Sequence, residues 1–182
     1  MTRYDIYRRD HKIKSLYDYH AKYIRNIPNP KHIGGSQFII AVKNKHENSI
    51  NYIATMLENE FSEKLSDFDV ICVMPSSNAL DSVNGIRMVA QSLAKRINKF
   101  DGTHCVKRSS SKPRSCAGAR SYDLQWKTLD IQNKRDIQNK KILLLDDVST
   151  SGITLVAGAE KLLQAGATKV IKFAIGETVY GG

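Results

Sequence analysis

The sequence predicts an α/β domain: a mostly parallel, twisted sheet flanked by helices. Three observations lead there. Continuous apolar runs, as in DVICVM (69–74), KILLL (141–145) and KVIKFAIG (169–176), read as strands buried on both faces. Between them lie amphipathic stretches long enough for helices. The chain has 182 residues, 41% of them apolar, which suits one domain with a sizeable core.

The first 30 residues are the least regular. RYDIY (3–7) is compatible with a strand, whereas Leu16, Tyr19, Tyr23 and Ile27 recur at helical spacing. Pro28 and Pro30 interrupt the chain and Gly34-Gly35 allow a turn. QFIIAVK (37–43) reads as a strand. A helix is expected from about Asn48, with Ile50, Ile53, Leu57, Phe61 and Leu65 along one side. After the strand at 69–74, Val83, Ile86, Val89, Ala90, Leu93 and Ile97 mark a second helical stripe, and THCVK (103–107) reads as a strand. DIQNKRDIQNK (130–140) repeats a pentapeptide at a spacing too short for a repeat architecture, and is read as a polar connector. KILLL is followed by a helix from Ile153 to about Gln164, which stops at Gly166, and by the last strand.

Composition excludes several classes. No apolar run approaches the roughly 20 residues of a membrane span. The basic amino terminus lacks the apolar segment of a secretory signal. The three cysteines have uneven spacing and no CxxC pair, which argues against zinc and against a disulfide framework; Cys72 reads as core. A reducing, cytoplasmic setting is expected. The net charge of +10 is concentrated: residues 1–50 carry ten Lys/Arg against four acids, and residues 106–141 ten against three. Such stretches suit a polyanion, a phosphorylated small molecule or nucleic acid, as well as a plain solvated face.

The most informative segment is KILLLDDVSTSGIT (141–154). A buried strand ends at two adjacent carboxylates, at the rim where ligands bind in parallel α/β sheets. Four hydroxylated residues and Gly152 then lead into a helix, whose N-terminal N–H groups favour a phosphate. Carboxylates accept hydrogen bonds from sugar hydroxyls and can neighbour a divalent cation. A capped helix start would explain one acid and one hydroxyl, not the whole set. The combination fits a ribose 5-phosphate. Neither the P-loop pattern nor the dinucleotide fingerprint is present.

LLLDDVSTSGIT closely resembles the phosphoribosyl-pyrophosphate (PRPP) motif of type I phosphoribosyltransferases. The resemblance implies a phosphoribosyltransferase core over residues 37–182, a small N-terminal hood over 1–36, and transfer of a 5-phosphoribosyl group from PRPP to a nitrogen nucleophile with loss of pyrophosphate. It implies that Asp146 and Asp147 hold the ribose hydroxyls, with Mg²⁺ nearby and held indirectly, and that Ser149, Thr150, Ser151, Gly152, Ile153 and Thr154 surround the 5-phosphate. Pro75, Ser76 and Ser77 would form the pyrophosphate loop. KRSSSKPRSCAGAR (107–120) would be a mobile basic lid, with Arg108, Lys112, Arg114 and Arg120 stabilising the departing charge. Within the family the chain is most similar to ComF-like members, through Lys43 in the first strand, the proline-bearing loop and Asn84-Gly85, although it lacks their cysteine-rich module. Thr150 stands where the 6-oxopurine salvage enzymes carry an Asp, so the resemblance does not extend to hypoxanthine or guanine salvage. The expected partners are PRPP and a nitrogenous acceptor, with a homodimer as the assembly, no membrane, and at most weak nucleic-acid binding. The rival reading is a non-catalytic module on the same fold, sensing PRPP or a nucleotide or binding nucleic acid.

Overall fold

The computed structural model describes residues 13–76, 83–110 and 122–179. Its centre is a five-stranded sheet in the order β1-β9-β8-β4-β5, in which every neighbouring pair is parallel. The strands are β1 (Lys14–Tyr19), β4 (Val70–Val73), β5 (Phe100–Asp101), β8 (Lys141–Ser149) and β9 (Lys169–Thr178). Among the described residues there are also two small antiparallel ribbons: β2 (Tyr23–Ile24) with β3 (Ile27–Pro28), and β6 (Val106–Arg108) with β7 (Leu129–Ile131).

Helices α1 (Gly35–Lys43), α2 (Glu47–Phe61) and α3 (Gly85–Arg96) cover one face, and α5 (Ile153–Gln164) covers the other beside the short α4 (Tyr122–Thr128). The apolar runs are continuous because both faces are buried. Ile71, Val73, Leu143, Leu145, Phe173 and Ile175 join the core beneath α1–α3. Their alternates Val70, Cys72, Ile142, Leu144 and Ala174 join the core beneath α5. Successive strand residues point to opposite faces, so each run supplies both cores.

Three expectations from the sequence require correction. QFIIAVK is helical: Ile39 and Val42, three apart, are fully buried, whereas Phe38 turns outward and stacks on Tyr52 at 4.6 Å. A short apolar run cannot separate a buried strand from a buried helical turn, and tertiary contact decides. Residues 14–19 form a strand despite their helical spacing, because the edge of β9 offers a partner from Lys14↔Phe173 to Tyr19↔Thr178. THCVK is only partly a strand: residues 103–105 form a turn and pairing starts at Val106. The connector 130–140 holds the end of β7 and a turn of 3-10 helix at Lys134–Asp136.

Candidate active site

The site follows from where the connections go. After β4 the chain crosses through α3 to β5; after β8 it crosses through α5 to β9, on the opposite face. β4 and β8 are neighbours whose outgoing connections diverge, which opens a crevice at their carboxyl ends. Register shows the opening directly. β4 pairs with β8 only as far as Val73↔Leu145, whereas β8 continues along β9 to Ser149↔Glu177. From Asp146 onward β8 is therefore paired on one side and faces the crevice on the other. The sequence places the end of this strand at Leu145; the structure carries it through both acids.

Because side chains alternate along β8, the carboxylates take opposite faces. Asp147 turns toward the α1 side, where its Oδ2 lies 3.4 Å from Lys43 Nζ. Lys43 is the last residue of α1 and also stands over the Tyr19 ring at 6.0 Å. Asp146 turns toward the other face, where its charge acts on Arg108. Each carboxylate also accepts from the next backbone N–H: Asp147 N to Asp146 Oδ1 at 2.9 Å, and Val148 N to Asp147 Oδ1 at 2.6 Å. One oxygen of each is thus tied to the main chain, which fixes the orientation of both.

Arg108 is the largest departure from the expected site. It is a residue of β6, 7% exposed, rather than part of a mobile lid. Its Nε donates to the Ser76 carbonyl at 3.0 Å, Nη1 to Thr128 Oγ1 at 2.6 Å and Nη2 to Gln125 Oε1 at 3.5 Å. Burial lowers its pKa to about 10 and Asp146 opposes that fall, so the guanidinium is charged at neutral pH. It thereby ties the loop after β4 to the β6–β7 ribbon and places positive charge beside Asp146. Ser77, Lys112, Arg114 and Arg120 lie outside the described residues.

The loop after β8 wraps as its composition suggests. Gly152, the N-cap of α5, has φ 75°, a left-handed conformation that favours glycine, and a Cβ there would overlap the Ile13 side chain. Ser149 is buried and Thr150 Oγ1 meets Thr178 Oγ1 at 3.0 Å. The first bond of the helix runs from Val156 N to Gly152 O, so the N–H groups of 153–155 precede any intrahelical acceptor. They adjoin a cavity of about 120 Å³ bounded by residues 148–155 and Asp146. A second cavity, of about 400 Å³, shares Asp146, Val148 and Thr154 and extends to Lys43, Pro75, Ser76 and Asn84. Its outer wall is the start of α3, where Asn84 caps the helix by accepting from Arg87 N at 3.0 Å. At Gly85 an added Cβ would overlap the carbonyl oxygen of Val42, so α3 and α1 meet backbone to backbone.

The expected residues that fall within the described segments thus converge: Pro75, Ser76, Asp146 and Asp147 line the larger cavity, and 149–154 the smaller. Sequence reasoning missed how Lys43 pairs with Asp147, and the roles of Gln125 and Thr128, which hold Arg108. No periodicity signals a lysine at a helix end or two polar residues in a short helix. Among the described residues no helix is long and apolar enough to cross a membrane.

No family model and no curated protein matches the chain. Among solved structures it is similar to adenine phosphoribosyltransferase from Thermoanaerobacter pseudethanolicus (TM-score 0.45, 18% identity, 74% of this chain and 71% of that one). It is also similar to a purine phosphoribosyltransferase from Pyrococcus horikoshii (TM-score 0.42, 16% identity, 71% and 82%). A third similar structure is a hypoxanthine phosphoribosyltransferase from Staphylococcus aureus (TM-score 0.42, 16% identity, 73% and 75%).

Proposed function

We propose that the protein is a phosphoribosyltransferase, transferring the 5-phosphoribosyl group of PRPP to a nitrogen nucleophile of nucleobase type and releasing pyrophosphate. The observation that carries this reading is the adjacency of the two cavities: a small, hydroxyl-lined one at a helix N-terminus shares Asp146, Val148 and Thr154 with a larger one at the end of β4. A sugar bearing a phosphate at one end and a diphosphate at the other has that shape.

In this reading the 5-phosphate takes the N–H groups at the start of α5 and the hydroxyls of Ser149–Thr154. The ribose hydroxyls donate to Asp146 and Asp147. The diphosphate lies along Pro75 and Ser76, in the positive potential of Lys43 and Arg108. As the nitrogen adds to C1 and the C1–oxygen bond to pyrophosphate breaks, positive charge grows on the ribose ring beside the carboxylates and negative charge on the leaving group. Fixed charges on both sides stabilise that separation without reorganising, and holding both reactants supplies much of the remaining acceleration.

Two carboxylates at the crevice suit Mg²⁺, which takes few protein ligands and keeps water and substrate phosphate oxygens. Asp146 and Asp147 would hold it, chiefly through water, and it would neutralise the diphosphate. Arg108 acts in part through Ser76, whose carbonyl it holds, and so counts as a positioning residue as well as a charge.

Incubation with Mg²⁺, PRPP and a panel of purine and pyrimidine bases should release pyrophosphate with at least one of them. Binding of PRPP without release for any base would favour a sensor on the same fold, and no binding would overturn both readings.

A further inference from the structure

Away from the crevice, the turn after β5 and the helical turn before β8 bring together His104, Cys105 and Asp136. One ligand atom from each lies within 4.8 Å of the others, and His104 Nε2 is 3.4 Å from Asp136 Oδ2. None of the three lines either cavity of the candidate active site. A His–Asp ion pair accounts for the nitrogen and the oxygen, and a Cys72 contact for the buried Cys105 sulfur; what neither accounts for is that all three donor atoms gather within 4.8 Å of one another.

We propose that His104, Cys105 and Asp136 bind one divalent transition cation of borderline softness, zinc above others. Tetrahedral zinc bonds of about 2.0–2.3 Å put neighbouring ligands roughly 3.3–3.7 Å apart, and the nitrogen–oxygen separation of 3.4 Å already meets this. A thiolate with an imidazole selects zinc over magnesium or calcium, which prefer oxygen alone. The fourth position faces solvent, since the side chains of His104 and Asp136 are 42% and 32% exposed.

The donors stand on short, hydrogen-bonded turns. Cys105 N donates to Gly102 O at 2.9 Å, Gln132 N to Cys105 O at 2.8 Å, and Asp136 N to Asn133 O at 2.9 Å. The Cys72 and Cys105 thiols are hydrogen-bonded to each other, and the Phe100 ring packs edge-on to His104 at 6.5 Å. Such support is what a metal site requires of its surroundings. Cys105 immediately precedes β6 and Asp136 follows β7, so the ion would staple the base of the ribbon that carries Arg108.

The test uses the full chain, metal-free, titrated with Co²⁺ in a large excess of Mg²⁺, which occupies carboxylate-only sites. The expected result is one equivalent bound, with a thiolate-to-cobalt charge-transfer band and tetrahedral visible absorption, both lost on adding zinc. His104→Gln and Asp136→Asn should each weaken binding at least about tenfold, while Asp146→Asn and Cys116→Ser leave it unchanged. Because Cys105→Ser alters a buried position and risks misfolding, the variants at the two partly exposed positions decide the matter. Absence of the charge-transfer band, its survival in both of those variants, or its loss in Cys116→Ser overturns the proposal.

Discussion

Lys43 Nζ and Asp147 Oδ2 stand 3.4 Å apart, joining the end of α1 to the strand that carries both carboxylates. The lysine does not derive from the strand where the sequence suggested it, yet it reaches the same crevice from a helix. The two side chains are 41% and 30% exposed, so the pair contributes little to folding. Lys43→Met is therefore expected to change unfolding free energy by less than about 1 kcal/mol. It should weaken Mg²⁺-PRPP binding measurably by calorimetry, because the diphosphate loses a cation. A large stability loss with unchanged affinity would contradict this.

Replacing both acids, Asp146→Asn with Asp147→Asn, should lower PRPP affinity by at least about 100-fold, since hydrogen bonds to charged groups contribute about 1.5–3 kcal/mol each. Calorimetry on the double variant checks it. Unchanged affinity would remove the ribose from this end of the crevice.

Arg108→Ala should destabilise the fold by roughly 2–4 kcal/mol, because it strands the partners of three hydrogen bonds at a buried position. A lid residue at 108 would leave the melting temperature nearly unchanged. Urea unfolding distinguishes the two. Arg108→Lys should restore little, as an ammonium cannot reach Ser76, Thr128 and Gln125 together.

Lys172 is 3% exposed on β9, its Nζ has no hydrogen-bond partner among the described residues, and burial lowers its pKa to about 8 from 10.5. Between those values the unfolded chain binds more protons than the folded one, so this group makes stability rise with pH. Below about 8 its full penalty applies. Lys172→Met should stabilise the protein at pH 7 by about 2–3 kcal/mol, and the gain over wild type should shrink from pH 8 to 10. Above pH 10 the wild-type curve bends downward through Tyr17, whose phenol burial raises to about 12 and whose protonated form the fold favours. Unfolding curves of both proteins at several pH values test this; a gain independent of pH would assign the effect to packing alone.

The basic surplus should serve phosphates one molecule at a time. Non-specific nucleic-acid binding falls about 10³-fold or more between 50 and 200 mM salt for a protein making six or more phosphate contacts. Gel shifts near 200 mM salt should therefore show no complex, with or without PRPP. A complex that persists there and disappears on charge reversal of Arg3, Arg8 and Arg9 would favour the nucleic-acid-binding module.

What could be read from the sequence followed from burial. Strands covered on both faces leave unbroken apolar runs, so β4, β8 and β9 were legible, as was α5, bounded by Gly152 and Gly166. The acid pair and hydroxyl loop were legible because their order along the chain is their order in space. α1 and β1 were not: nine and six residues hold too few periods, β1 takes its place from β9, more than 100 residues away, and α1 packs at once on its neighbours α2 and β1 and on the distant β8 and β9. The environment of Arg108 was hidden because its partners come from two segments on either side of it, Ser76 from the loop after β4 and Gln125 and Thr128 from α4. His104, Cys105 and Asp136 follow no spacing rule, because two donors are adjacent and the third comes from across a ribbon.

The backbone contact between α1 and α3 at Gly85 has a mechanical meaning. Two helices with no clearance between them cannot slide independently, so Lys43 and Asn84 ride on one rigid jaw. The opposite jaw is β8, clamped along its length by β9. The gap between the jaws is a gauge set at folding. For the proposed ligand that gap would set the size admitted, and Gly85→Ala would reset the gauge from outside the crevice's charged lining.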